Sequence, residues 1–149
     1  MTSIFETDRL NAGVPQLILE NDLLSVLLQP EIGGRILDVE TDHFPFLHRT
    51  YPKSVQFGPY TEHGCIEECI GSALTSRLWK TPWKVDKGTD SVTLSVISPA
   101  RFNNILLAKT LSLEPGGPIL KVEYSFTNLD DKFNKFTFSI HPELCLGNT

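Results

Sequence analysis

Apolar and polar residues alternate with a period of two along most of this chain, and that pattern restricts it to β architecture. The clearest stretch is Ile119 to Thr127. There Leu120, Val122, Tyr124 and Phe126 share one side, and Lys121, Glu123, Ser125 and Thr127 share the other. Asn104 to Leu113 alternates around Lys109 and Thr110, and Val92 to Ile97 alternates beyond the turn Lys87-Gly88-Thr89-Asp90, which Trp83-Lys84-Val85 precedes. Leu17-Ile18-Leu19-Glu20 and Leu23 to Leu28 flank Asn21-Asp22, residues that tolerate turn dihedrals and bond their own backbone, so a β-hairpin is predicted. Pro30 ends its second strand by removing a ladder donor, and Gly33-Gly34 permits a tight turn into a third strand, Arg35 to Val39. Glu114 to Pro118 and Asn128 to Lys132 are turns, and Phe133 to Ile140 is the last predicted strand, with Phe136 and Phe138 on one face.

The prolines and glycines between His43 and Cys69 predict a long loop with room for one short strand, the kind of segment that is functional or covers an open face. The one helical candidate is a short turn near Glu67 to Leu74. No repeat, heptad or internal boundary interrupts the pattern. The prediction is an all-β, antiparallel β-sandwich, residues 1–149 forming a single domain.

Composition narrows the partners. Among 149 residues, 40% are hydrophobic, enough for a packed core. Thirteen Lys and Arg against 18 Asp and Glu give a net charge of −5 with no basic cluster, which argues against a nucleic-acid backbone as partner. Met1 to Asn11 has no apolar signal core, and no stretch approaches the ~20 apolar residues of a spanning helix. Cys65, Cys69 and Cys145 are an odd number and fit free thiols in a reducing cytoplasm.

Three segments together, spanning nearly the whole chain, carry a family resemblance. LENDLLSVLLQPEIGGRILDVET (Leu19 to Thr41) resembles the opening hairpin and Gly-containing strand of the galactose mutarotase-like family, which includes the aldose 1-epimerases. HGCIEECIGSALTSRLWKTPWKV (His63 to Val85) resembles its Glu-Cys pair followed by Leu-Trp and Pro-Trp. Arg101 to Asn148, with FTFSIHPELCLGN, resembles its long strands and the strand that closes on His-Pro. The family folds as a β-supersandwich of about twice this length. The resemblance therefore implies an N-terminal half, with open strand edges that invite a homo-oligomer or another partner.

The resemblance also implies a chemistry. In mutarotases a Glu base takes the proton of the anomeric hydroxyl while a His acid protonates the ring oxygen, so the sugar ring opens and recloses on the other face. His141, in His-Pro-Glu, matches the acid position, and imidazole suits that role because it titrates near neutrality. Its plainer reading is a strand-end histidine held by Pro142. Glu67 and Glu68 match the family's Glu beside Cys near the sugar cleft, where a carboxylate can accept two hydroxyl hydrogens. Solvated charges are the plainer reading of two adjacent acids. Arg77, next to Leu78-Trp79, is the expected cleft arginine, and Arg35 is expected to be structural or at the surface. Trp79 and Trp83 could stack on a pyranose or anchor the core. Thr75 and Ser76 stand where the family's sugar-binding His-Gly is expected, with His63-Gly64 upstream, and no residue matches the late catalytic Glu.

Two other chemistries have weaker signals in the sequence. His63, Cys65, Cys69, His141 and Cys145 offer His-x-Cys-x3-Cys and His-x3-Cys but no Cys-x2-Cys, so neither a metal nor a cofactor is assigned. A nucleophilic Cys69 or Cys145 with a His partner has no local signature. The expected function is carbohydrate binding in an aldose 1-epimerase-like, catalytically incomplete chain acting on a small sugar. The alternative is a non-catalytic sugar-binding or structural β-domain that assembles through its open edges.

Overall fold

The computed structural model describes residues 1–10, 13–41, 44–47, 53, 55–57, 60–62, 64–71, 78–98 and 104–145. Two antiparallel sheets pack face to face, as the alternation predicts. The larger contains β1 (Ser3–Thr7), β2 (Gln16–Glu20), β3 (Ser25–Gln29), β4 (Arg35–Thr41), β8 (Ile66–Ile70) and β13 (Phe138–Pro142) in that order, with β5 (Phe44–Pro45) beside β4. The smaller runs β12 (Leu120–Asn128), β11 (Ile105–Leu113), β10 (Ser91–Ile97), β9 (Lys84–Lys87). A separate short hairpin pairs β6 (Val55–Phe57) with β7 (Tyr60–Glu62). Among the described residues no helix is long and apolar enough to cross a membrane.

The main core lies between the layers. Leu17, Leu19, Val26, Leu28, Ile36 and Ile70 of the larger sheet meet Val92, Leu94, Val96, Ile105, Leu107, Leu111 and Leu113 of the smaller one, with Trp83 among them. These are the inward members of each alternating strand. Ile18, Leu27, Leu37 and Cys65 form a second cluster on the opposite face of the larger sheet. A register shift between Leu27 and Leu28 leaves Leu37 as the extra residue of a bulge, since Leu27 pairs with Asp38 and Leu28 with Ile36.

The predicted turns form with the bonds their residues supply. Asn21 Oδ1 accepts from the N–H groups of Leu23 and Leu24 at 2.9 Å. Its Nδ2 donates across the sandwich to the carbonyls of Glu114 (3.2 Å) and Gly117 (3.1 Å). Gly33 and Gly34 adopt φ of +76° and +60°, a region open to glycine. They must also be glycine for space. A Cβ on Gly33 would lie 2.5 Å from the Trp79 carbonyl oxygen, and one on Gly34 would lie 2.5 Å from the Trp83 ring.

The segment predicted as irregular differs in one consequential way. Ile66 to Ile70 is neither loop nor helical turn but β8, a strand inside the larger sheet. The helical turn falls later, a 3-10 turn over Leu78–Lys80. Adjacent acids disguise the strand: alternation sends Glu67 to one face and Glu68 to the other, and each meets a buried cation there. The last strand also starts later than predicted, at Phe138, which pairs with Ile70. Gly71, at φ +78°, ends β8, and its N–H still donates to the Thr137 carbonyl at 2.8 Å.

Candidate functional site

One polar row crosses a face of the larger sheet. Gln29 of β3 pairs in register with Arg35 of β4. Ile36 pairs with Ile66, which sets Arg35 beside Glu67 of β8, and Glu67 pairs with His141 of β13. Gln29, Arg35 and Glu67 are buried, at 0%, 0% and 1% exposure. The His141 side chain, at 54%, is where the row reaches solvent.

Charge links the members of the row. Arg35 Nη2 stands 2.5 Å from Glu67 Oε2, while Arg35 Nη1 donates to the Gly64 carbonyl at 3.2 Å. The other carboxylate oxygen, Glu67 Oε1, faces His141 Nδ1 at 3.6 Å. A guanidinium thus holds one oxygen of a buried carboxylate, and the second oxygen is presented to an exposed imidazole. Arg35, expected to be structural or at the surface, is the fully buried partner of Glu67. Cys65 and Cys69, apolar residues in the same phase as Glu67, are the sequence signal for that environment, and both are buried.

Glu68, expected beside Glu67 at a sugar cleft, faces the other way, because neighbouring strand residues point to opposite faces. It is fully buried between the layers. Its Oε1 accepts from Lys109 Nζ of β11 at 2.6 Å and from the Tyr124 hydroxyl of β12 at 2.7 Å. The Lys109 ammonium also sits 5.1 Å from the centre of the Trp83 ring, near enough for cation–π attraction. Burial lowers the affinity of Lys109 for its proton, with Glu68 opposing that shift, and burial raises the Tyr124 hydroxyl above the ordinary phenol range. This triad joins the two sheets; its ion pair, Glu68 with Lys109, is fully buried and offers no surface to a ligand, while Tyr124 is half-buried. Trp79 is 4% exposed, with the Lys80 ammonium 5.1 Å from its ring centre, so its ring is packed rather than presented to a pyranose. Trp83 is a core anchor. Arg77, Thr75, Ser76 and His63 lie outside the described residues.

The thiols divide by environment. Cys69, opposite Ser139, is buried, and burial together with the Glu67 and Glu68 carboxylates pushes its thiol up to about 12, against the pull of Arg35. A thiol so rarely ionised at neutral pH is no nucleophile. Iodoacetamide is expected to modify half-buried Cys145 first and to reach Cys65 and Cys69 only on unfolding, as peptide mapping of partly labelled protein would show. Early loss of the Cys69 peptide would contradict this environment. Among the described residues no group of three or more His, Cys, Asp or Glu side chains is placed to hold a metal. A cavity of 310 Å³ at the β2–β3 turn, lined by Glu20, Asp22 and Glu40 among others, includes none of the row's residues.

Comparison with known proteins yields a likeness of fold. No family model matches the chain, and no curated protein does. Among solved structures it is similar to the 4-alpha-glucanotransferase from Thermococcus litoralis, with a TM-score of 0.66 at 13% identity over 93% of this chain. The chain spans 26% of that longer protein. At this identity the two share a β-sandwich fold.

Proposed function

We propose that this chain is a carbohydrate-binding β-sandwich of the mutarotase-like kind, in which His141 exchanges a proton with a sugar at its anomeric centre. The observation that carries the reading is the Arg35–Glu67–His141 row, which ends an otherwise buried polar relay on one exposed imidazole. Glu67 acts behind the imidazole, and Arg35 holds Glu67. The similarity to a domain-sized part of a glucanotransferase, an enzyme named for glucan transfer, fits a sugar-related role. Arg77 belongs to the same reading as a cleft residue, while Glu68 and Trp79, buried elsewhere, drop out of direct sugar contact. On this reading the chain is the first half of a larger sandwich in the cytoplasm, and the base that completes mutarotation comes from outside these 149 residues.

Calorimetric titration with glucose and galactose tests the reading, with polarimetry of freshly dissolved α-anomers beside it. Binding of at least one aldose is expected. His141→Ala is expected to weaken it about tenfold, the loss of one hydrogen bond to an ionisable group. No heat from either aldose, or unchanged affinity in His141→Ala, would overturn the reading. The exposed apolar flank of β12 and β13 favours a second reading, assembly through open edges.

A further inference from the structure

We propose that β8 and β13 form a strap that opens as one unit, held shut by the two buried carboxylates of β8, and that the Arg35–Glu67–His141 row is assembled only when the strap is closed. Within the strap the two strands pair throughout, from Phe138 with Ile70 to Pro142 with Ile66. Toward the rest of the larger sheet the attachment is slight. Among the described residues one register pair, Ile36 with Ile66, joins β8 to β4, and the far half of β4 pairs with β5 instead. Among those residues β13 is also the last strand of its sheet. Apolar cover is limited as well. Ile70 is buried, but Ile66 and Phe138 are partly buried and Ile140 is 44% exposed. A segment with little buried apolar area and few ties opens at a lower free energy than the core.

Polar groups supply the remaining hold, one on each face of β8. Outward, Glu67 pairs with Arg35 of β4. Inward, Glu68 accepts from Lys109 of β11 and Tyr124 of β12. The two carboxylates are neighbours in the chain, so both faces of the strap are fastened at one level. One end is tied further: Arg35 Nη1 donates to the Gly64 carbonyl, Leu47 bridges Leu144, and the Cys145 N–H donates to the Phe46 carbonyl at 2.9 Å. There the backbone also bends, with φ of +71° at Gly64 and +82° at Cys65. The opposite end closes on itself, through the bond from Gly71 N–H to the Thr137 carbonyl. This is the geometry of a flap hinged at Gly64–Cys65. Opening parts Glu67 from Arg35 and carries Glu67 and His141 away together, since both ride on the strap.

Native-state hydrogen exchange on the whole chain, without sugar, tests this. The amides that bond β8 to β13 are expected to share one opening equilibrium and to exchange faster than the bonded amides of β3 and β10. Tyr124→Phe deletes one bond to Glu68 and is expected to speed strap exchange about tenfold, the worth of a hydrogen bond to a charged group. Thr93→Ala removes the hydroxyl bond between Thr93 and Thr110 (2.9 Å) in the smaller sheet. That bond survives in the opened state, so this variant is expected to speed β10 and β11 exchange and to leave the strap's rate unchanged. The proposal is overturned if strap amides exchange no faster than those of β3 and β10, or if Tyr124→Phe leaves their rate as it was. It is equally overturned if Thr93→Ala speeds them as much as it speeds β10, because the strap then opens only with the whole molecule. With no ligand present, these rates stand or fall apart from the sugar reading.

Discussion

Lys109→Met is expected to lower stability by about 3–5 kcal/mol, the usual loss when one member of a buried ion pair is removed and the other charge is left behind. Lys109 and Glu68 are both fully buried, 2.6 Å apart, on strands of different sheets. Without the ammonium, the Glu68 carboxylate is left in the core with only the Tyr124 hydroxyl. The double variant Lys109→Met/Glu68→Leu is expected to recover most of the loss, because a packed apolar pair of similar volume needs no desolvation of charge. Urea unfolding of the four proteins in the cycle measures both effects. Additive losses in the double variant would show that the pair is not acting as a unit.

The same residue sets a pH dependence. Burial lowers the pKa of folded Lys109 below the 10.5 of an unfolded lysine. Between those two values the unfolded chain binds more protons than the folded one, so this group makes stability rise with pH until about 10.5. The slope is expected to flatten in Lys109→Met. Tyr124 acts oppositely above its ordinary pKa of 10.0, since its folded value is raised.

Gly33→Ala is expected to cost about 2–4 kcal/mol. Roughly 1–2 kcal/mol comes from a β-carbon in the left-handed region and the rest from overpacking. The overpacking is severe because the added carbon meets backbone, the Trp79 carbonyl, rather than a side chain that can swing away. Moving that backbone strains the bond from Gly33 N–H to the Thr81 carbonyl (3.1 Å) and the neighbouring one from Trp83 N–H to the Pro30 carbonyl (2.9 Å). Gly13, with a similar positive φ of +67° but nothing within 4 Å of the added carbon, is the control: its alanine variant loses only the conformational part. Equal midpoint shifts in thermal unfolding for the two variants would refute the packing argument.

How much could be read beforehand depends on what each strand carries. Strands β2, β3, β10, β11 and β12 announce themselves because their inward positions are apolar and their turns hold Asn, Asp, Gly or Pro. β8 is hidden because Glu67 and Glu68 erase the hydrophobic alternation that identifies a strand. Charges are ordinarily kept out of a core, and only the partners Arg35 and Lys109, 32 and 41 positions distant in the chain, make these burials tolerable. The signal was present in phase rather than in composition. Lys109 shares its parity with Ile105, Leu107, Leu111 and Leu113, and Glu68 shares its parity with Ile66 and Ile70, so each points inward with its neighbours. The sequence reading places His141 and Glu67 at one cleft, but their direct cross-strand pairing depends on the register of β13 against β8, which nothing local in the sequence encodes.

Asn21 carries a wider implication. Its amide nitrogen reaches two carbonyls of the 114–117 turn, fastening the tip of a hairpin in one layer to the tip of a hairpin in the other. That fastening acts as a clasp at one corner of the molecule, beside the buried Glu68–Lys109 link between the layers. Changes to the length of the 114–117 turn would thus be transmitted to the β2–β3 hairpin through one carboxamide, without disturbing any side chain of the interior.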